Sequence, residues 1–170
     1  SFNKNAGKTR SRGIELSLSQ QLAQWDWRLS ATWAKHEFVN YLVSAKAGAI
    51  EDYSGKFMPQ APAHTINAQV GWNFTPDSRI ALGMVKQGQY WMNNLNTVRY
   101  EGHTLLNLTA SHKLQGGLEV WGQVRNLTDE RYADSASSSF KGGAFNPNTQ
   151  NTYSPGAPRS VMVGVTQSFL

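Results

Sequence analysis

Apolar and polar side chains alternate with a period of two over most of the chain. Ile14, Leu16 and Leu18 alternate with Glu15, Ser17 and Ser19, and Trp27, Leu29, Ala31 and Trp33 with Arg28, Ser30 and Thr32. The clearest run sets Ile66, Ala68, Val70, Trp72 and Phe74 against Thr65, Asn67, Gln69, Gly71 and Asn73. Leu106, Leu108 and Ala110 oppose Asn107, Thr109 and Ser111, and Leu118, Val120 and Val124 oppose Glu119, Trp121, Gln123 and Arg125. Val161, Val163, Val165 and Phe169 alternate with Ser160, Gly164, Thr166 and Ser168. Residues 79–87 carry Ile80, Leu82 and Met84 on one face, with Val85 blurring the pattern. A side-chain period of two belongs to strands, so the pattern predicts seven strands and no helix.

Alternation alone does not separate a soluble sandwich from a membrane barrel, because both have one apolar face. The connections do. Residues 20–25, 75–78 and 114–117 are tight links with turn formers in Thr75-Pro76-Asp77-Ser78 and Gln115-Gly116-Gly117. Between them lie long stretches at about 39–63, 88–102 and 129–157. Short and long alternate strictly, which puts every tight turn at one end of the sheet and every long loop at the other, the layout of outer-membrane barrels. Trp25, Trp27, Trp72, Phe74 and Phe169 fall near the tight-turn ends, and Trp33, Phe38, Tyr90, Trp91 and Tyr132 near the long-loop ends. Two aromatic belts one strand apart are expected where rings sit at headgroup level. Glu15, Arg28, Asn67, Gln69, Asn107, Glu119, Gln123 and Arg125 occupy the opposite face. They would line a wet interior in a barrel and a solvated face in a sandwich.

Composition narrows the classes. The 170 residues carry 16% charged and 11% aromatic side chains, a polar but weakly charged chain with mean hydropathy −0.49, unlike a disordered one. No stretch approaches the ~18 apolar residues of a helical span. Zero cysteines exclude a disulfide framework, a Cys-ligated zinc site and thiol catalysis. The net charge of +5 comes from scattered Lys and Arg, so nucleic acid is not an expected partner. The start, Ser1-Phe2-Asn3-Lys4-Asn5, is too polar for a secretory signal, so an exported protein would be mature or truncated here.

Several segments then carry a resemblance. Gly102-His103-Thr104-Leu105-Leu106-Asn107-Leu108, Val124-Arg125-Asn126-Leu127-Thr128-Asp129-Glu130-Arg131-Tyr132-Ala133 and Tyr153-Ser154-Pro155-Gly156-Ala157-Pro158-Arg159-Ser160-Val161 are similar to the C-terminal region of TonB-dependent outer-membrane receptors. Asn5-Ala6-Gly7 with Arg12-Gly13-Ile14-Glu15, and Met58-Pro59-Gln60-Ala61-Pro62-Ala63-His64, resemble earlier strand openings of the same family. The sequence departs from that family in ending on Leu170 rather than an aromatic, and in placing Gln167 on the apolar parity.

The resemblance implies a fold: all-β, an antiparallel transmembrane β-barrel segment of about seven strands, part of a larger barrel that has twenty-two strands in the family and holds a plug. Seven strands cannot close such a barrel, so residues 1–170 are expected to be the C-terminal part of a longer receptor. Its plug, TonB box and remaining strands would lie outside this segment. The implied partners are outer-membrane lipid, TonB through the N-terminal region, the barrel-assembly machinery and an iron–siderophore ligand, in the outer membrane of a Gram-negative bacterium. Phe169 resembles the terminal aromatic read as an assembly signal. In the family the plug moves when TonB pulls.

The motifs themselves read as architecture. Asn126 to Asp129 can close a strand by hydrogen-bonding the local backbone. Pro158 belongs at a strand start, and Arg159 is expected to pair with Asp129 or Glu130.

No catalytic set emerges. His36, His64, His103 and His112 lack ligand spacing, no metal or cofactor is expected, Gly-x-Ser-x-Gly is missing, and Asp26, Glu37, Glu51 and Asp52 have no partner logic. The sequons at Asn73, Asn107 and Asn126 fall mainly in strands. Binding chemistry would live in the long loops. Their aromatics include Tyr41, Tyr53, Phe57, Tyr90, Trp91, Tyr100, Phe140, Phe145 and Tyr153, with Lys46, Lys56, Arg99 and Lys141 as cations. Aromatics with cations suit an anionic, partly aromatic ligand such as a ferric siderophore. Tyr41, Tyr53, Tyr90, Trp91, Arg99, Phe140 and Tyr153 are the candidate contacts. Cobalamin, haem, copper chelates and oligosaccharides are further ligand classes of the family. The alternatives are a small self-contained β-barrel or sandwich binding a ligand without transport, which needs residues 1–12 as an eighth strand, and an autotransporter or barrel enzyme.

Overall fold

A computed structural model describes residues 7–44 and 50–169. In chain order the strands are β1 (Lys8–Gln21), β2 (Trp25–Asn40), β3 (Leu42–Ser44), β4 (Ile50–Asp52), β5 (His64–Thr75), β6 (Ser78–Gln87), β7 (Tyr90–Trp91), β8 (Arg99–Tyr100), β9 (His103–Lys113) and β10 (Leu118–Arg125). They continue with β11 (Ala133–Ser138), a single-turn helix α1 (Pro147–Gln150), β12 (Asn151–Pro155) and β13 (Ser160–Gln167). The long strands form one seven-stranded antiparallel meander in the order β1-β2-β5-β6-β9-β10-β13, each paired with its neighbour in sequence. These are the seven strands that alternation predicts. The three long loops each fold on themselves as a two-stranded ribbon, β3-β4, β7-β8 and β11-β12, which the sequence pattern does not announce.

Directly paired residues in an antiparallel ladder share a face, so the registers can be read across the sheet. One row runs Trp27–Val70–Leu82–Leu108–Val124–Val161, and the next runs Trp25–Trp72–Ile80–Ala110–Gly122–Val163. This apolar face is open: Ile14 is 71% and Val163 81% exposed, and Trp25, Trp33, Val70, Trp72, Phe74 and Leu82 are exposed too. A sandwich would bury that face against a second sheet. Here the hydrophobic cluster of buried residues lies in the loops instead. The strands are also long, 14 residues in β1, 16 in β2 and 12 in β5, against a usual globular mode of ~5–6 and the ~9–11 needed to cross a bilayer. Rows on the other face are polar, for example Ser19–Arg28–Gln69–Gly83–Asn107, and hold a groove of about 620 Å³.

At the tight-turn end, Trp25 stacks on Trp72 with centroids 5.3 Å apart, and Phe74 lies 5.6 Å beyond. On the inner face Arg79 grips Asp26 through both guanidinium nitrogens, one at 2.9 Å, and lies 3.2 Å from Asn73 Oδ1. Its guanidinium lies where a Cβ on Gly71 would go, so the glycine makes the ion pair possible. Gly116 and Gly117 both take positive φ in the last tight turn, and Gln167 Nε2 donates to the Gly116 carbonyl at 2.7 Å. That bond accounts for a polar residue on the apolar parity, since Gln167 ties the turn.

The alternative of a self-contained barrel needs residues 1–12 as an eighth strand; residues 8–12 instead prolong β1 along β2, while residues 1–6 lie outside the described residues. The structure corrects two expectations. The outer aromatic belt shrinks, because Phe38 pairs with Thr9 on the face opposite Trp33 and packs on Tyr41 at 4.5 Å, and Tyr90 is buried in the loops. Asp129 does meet Arg159, but its Oδ1 accepts the Arg159 backbone N–H at 3.0 Å rather than the guanidinium.

Candidate functional site

The three long loops pack together at one end of the sheet. The β7-β8 ribbon is the hub. Tyr90, Met92, Val98 and Tyr100 close on Ala133 and Ala136 of β11. Tyr90 Oη accepts the Ala136 N–H at 2.7 Å, the Ser138 N–H reaches the Met92 carbonyl at 2.9 Å, and Tyr100 Oη bridges the Ala133 N–H (3.2 Å) and carbonyl (3.1 Å). Buried backbone groups must find partners, and these tyrosines supply them across the gap between loops.

Asparagines complete the assembly. The buried Asn93 donates to Thr97 Oγ1 at 2.8 Å and the Phe140 carbonyl at 3.0 Å, and accepts the Thr97 N–H at 3.1 Å. Asn96 exchanges two hydrogen bonds with the backbone of Phe57, at 2.7 and 2.9 Å, joining the first long loop to the second. The buried Asn126, at φ 51°, accepts the Glu130 N–H at 2.8 Å and donates to the Glu130 and Ala157 carbonyls at 2.9 and 3.2 Å. Its closing role is legible in the Asn-Leu-Thr-Asp run. The roles of Asn93 and Asn96 are missed in the sequence, although Asn93-Asn94 followed by Asn96 is a turn-forming cluster.

The candidate contacts divide into packed and presented groups. Tyr53 and Tyr90 are each only 5% exposed. Burial and a hydrogen bond to Glu51 push the Tyr53 phenol up to about 12. Burial likewise raises Tyr90 and Tyr100, so these phenols stay protonated. Hydrogen bonds from Ser54 hold Asp52 below the usual carboxylate range. Tyr41 lies half-buried between Phe38 and Tyr53, 5.6 Å from the latter ring. Phe140 packs edge-on against Phe145 at 5.0 Å, and Tyr153 is exposed. Lys46 lies outside the described residues. Trp91 and Arg99 are paired across the ribbon, with the guanidinium 5.9 Å from the indole centre and 3.0 Å from Glu101. With Lys35, Phe57 and Gln89 they line a hollow of about 350 Å³. That hollow brings together three of the candidate contacts, the buried Tyr90 with Trp91 and Arg99. Tyr41, Tyr53, Phe140 and Tyr153 lie apart from it.

The histidines have separate partners: His36 lies 2.8 Å from Ser11 Oγ, His112 2.7 Å from Ser78 Oγ, His103 2.9 Å from Tyr100 Oη, and His64 packs over Gly88. Among the described residues no three His, Asp or Glu side chains come together as a metal-ligand set.

Comparison with known proteins agrees with this architecture. The family described as TonB dependent receptor-like, beta-barrel, matches residues 1–127. Among solved structures, the siderophore receptor PiuA from Acinetobacter baumannii is similar at 18% identity and a TM-score of 0.76, over 92% of this chain and 21% of that one. The ferric yersiniabactin uptake receptor FyuA from Yersinia pestis is similar at 20% identity and a TM-score of 0.70, over 95% of this chain and 23% of that one. The ferric-catecholate import receptor Fiu from Escherichia coli K12, in its closed form, matches at 20% identity and 0.70, over 92% of this chain and 20% of that one. At these identities the likeness is one of fold. The chain spans about a fifth of the length of each structure.

Proposed function

The chain belongs to the TonB-dependent receptor family, whose β-barrel part matches residues 1–127, and from that premise we propose that it is the C-terminal wall segment of an outer-membrane transporter for a ferric siderophore. The observation that carries this reading is the open apolar face of the seven-stranded meander, with every tight turn at one end and every long loop at the other. In a bilayer that face meets lipid, the polar face lines the lumen, and the long loops stand outside the cell. The segment makes or breaks no covalent bond. It holds strands in register for a plug supplied by the rest of the receptor, and TonB drives the passage of ligand through that plug.

The similar structures are named for siderophores or their ferric complexes. In this chain the Trp91–Arg99 pair beside Phe57 offers an aromatic plane and a cation in one hollow, which suits an anionic iron chelate carrying aromatic rings. Tyr90 supports the pair from within the loops, and Tyr41, Phe140 and Tyr153, apart from the hollow, are proposed as further contacts, with Tyr53 packed beneath Tyr41. The test is uptake of labelled iron by cells making the intact receptor, with ferric catecholates, phenolates and hydroxamates as probes and cyanocobalamin and haem as other ligand classes. One ferric siderophore should be taken up only when TonB is present. Trp91→Ala with Arg99→Gln should weaken its binding about tenfold or more, a loss of ~1.4 kcal/mol. Uptake independent of TonB would overturn the transporter reading, and uptake of haem or cyanocobalamin alone would overturn the siderophore.

A further inference from the structure

The third long loop reaches the first across the second. The first loop joins β2 to β5, the second β6 to β9 and the third β10 to β13, so two strands of the sheet separate β5 from β10. At the strand spacing of a sheet the third loop must lean ~14 Å along the wall to touch the first. It does so where Gln60 Nε2 donates to the Ala136 carbonyl at 3.4 Å, and again where Lys141 Nζ lies 3.6 Å from the Glu51 carboxylate.

The second of these contacts is a movable arm between two fixed posts. Phe140, just before Lys141, is pinned: its carbonyl accepts the Asn93 amide at 3.0 Å, its N–H donates to Ser138 Oγ at 3.3 Å, and its ring packs on Phe145. Just after Lys141, Gly142 and Gly143 take φ of 119° and 84°, and a side chain at either would meet nothing within 4 Å. On the other side, the Glu51 carboxylate accepts the hydroxyl of the buried Tyr53. The arm itself is open to solvent, with the Lys141 side chain 72% exposed against 31% for Glu51. An ion pair this exposed adds little stability, and the buried bonds at Tyr90, Asn93 and Tyr100 already join the loops, so folding does not account for it.

The signs of the two charges give the contact a use. Glu51 would repel an anionic cargo, and Lys141 covers it. A lysine ammonium is a compact charge on a flexible stem, able to exchange one anionic partner for another. An anion that takes Lys141 from Glu51 trades one exposed ion pair for another, while Tyr53 and water still serve the carboxylate. Such an anion favours the swung-out arm, because only in that state does the ammonium meet it.

We propose that Lys141 is a capture arm, parked on Glu51 in the empty receptor and handed to an anionic iron chelate when it arrives. The proposal rests on the siderophore reading above. The experiment treats the purified intact receptor in detergent with a water-soluble carbodiimide. The reagent activates the Glu51 carboxylate, Lys141 Nζ displaces it to form an amide, and the reagent leaves as a urea carrying the oxygen lost from the carboxylate. Mass spectrometry counts the linked peptide, and equilibrium dialysis with radioactive iron measures binding on the same preparations. The probes are the trianionic tris-catecholate ferric enterobactin and the cationic tris-hydroxamate ferrioxamine B.

The empty receptor should give the link, and saturating ferric enterobactin should lower its yield at least about tenfold, whereas ferrioxamine B should leave it unchanged. Lys141→Gln should weaken binding of ferric enterobactin about tenfold, and Lys141→Arg, which keeps the charge, should retain it. The proposal is overturned by an empty receptor that gives no link, by a yield that bound ferric enterobactin leaves unchanged, or by full affinity in Lys141→Gln. Binding of ferrioxamine B alone keeps the siderophore reading and overturns the capture of an anion. Binding of neither probe counts against the siderophore reading itself, a result the dialysis shows before any link is made, and the capture role falls with it.

Discussion

Gly164 of β13 lies directly opposite Trp121 of β10, and the indole ring occupies the space that a side chain on Gly164 would take. The ring thereby covers the backbone of the neighbouring strand on the inner face, as aromatics do for glycines in sheets. Gly164→Val should force the ring away and cost ~1–3 kcal/mol. The heat midpoint of the intact receptor's gel-mobility shift measures the cost. Trp121→Ala combined with Gly164→Val should cost less than the two changes summed, since the double variant removes the clash. Strict additivity would show that the two side chains do not share space.

Adjacent residues of β5 lie on opposite faces, one of which meets lipid and the other water in the proposed barrel. Val70 lies in the outward row between Trp27 and Leu82. Val70→Arg puts a charge at mid-strand against acyl chains and should cost ~2–4 kcal/mol. Asn67 faces inward between Ser30 and Val85, so Asn67→Arg reaches water in the lumen and should leave assembly near normal. Equal yields of assembled receptor from the two variants would refute the assignment of faces.

Asn126 closes β10 with three hydrogen bonds from a left-handed backbone. Asn126→Ala leaves the Glu130 N–H and the Glu130 and Ala157 carbonyls without this partner, at ~1–3 kcal/mol for a buried group left unmade, and adds backbone strain. Asn126→Gly relieves the strain alone. Proteolysis within residues 129–157 should rise in the order wild type, Gly, Ala, with the barrel still heat-modifiable. If the Gly and Ala variants are cut equally, the backbone conformation carries none of the effect.

The sheet was legible because each long strand keeps its period of two over enough residues to show. Even Phe38 was readable: it stands an odd number of positions from Trp33, so alternation alone puts it on the other face. Arg10 and Arg12 share the parity of Ile14 in the same way, yet their ion pairs with Glu37 needed the ladder that brings β1 alongside β2. The loops were not legible. A two-residue strand such as β7 has no period to read, and the buried cluster joins Tyr90 and Met92 to Ala133 and Ala136 far along the chain. Composition marked Tyr53 and Tyr90 as aromatic loop surface, while burial set Tyr53 against Tyr41 and Glu51 and made Tyr90 part of the packing beneath Trp91 and Arg99.

That packing can be probed at one hydroxyl. Tyr90→Phe keeps the ring but leaves the Ala136 N–H unpaired in a buried site, at ~1–3 kcal/mol. Because β7-β8 and β11-β12 share this core, protease sensitivity should rise in residues 88–102 and 129–157 together. A rise confined to one loop would mean that the two fold independently. The same core makes residues 136–150 a poor deletion, whereas removing 141–146, which are exposed, should leave both ribbons intact.

Phe169 lies two residues past the end of β13 and is 90% exposed, with the parity of Val161, Val163 and Val165. Among the described residues β13 pairs on one side only, with β10, and an open strand edge must be satisfied before a barrel is stable in lipid. We expect the ring to lie on the lipid face near the tight-turn belt, and we propose that the assembly machinery reads it as a signal. Removing Leu170 alone should then be nearly silent. Removing Phe169 and Leu170 together should lower the amount of assembled receptor in the outer membrane. If Phe169 is only one apolar contact, worth ~1.5–3 kcal/mol of burial, Phe169→Leu should restore most of both the yield and the heat midpoint, whereas a signal role leaves the yield low while the midpoint recovers. Measuring both on the same cells separates rate of assembly from stability after assembly. Normal yield from the double truncation would remove the signal role and leave the contact alone.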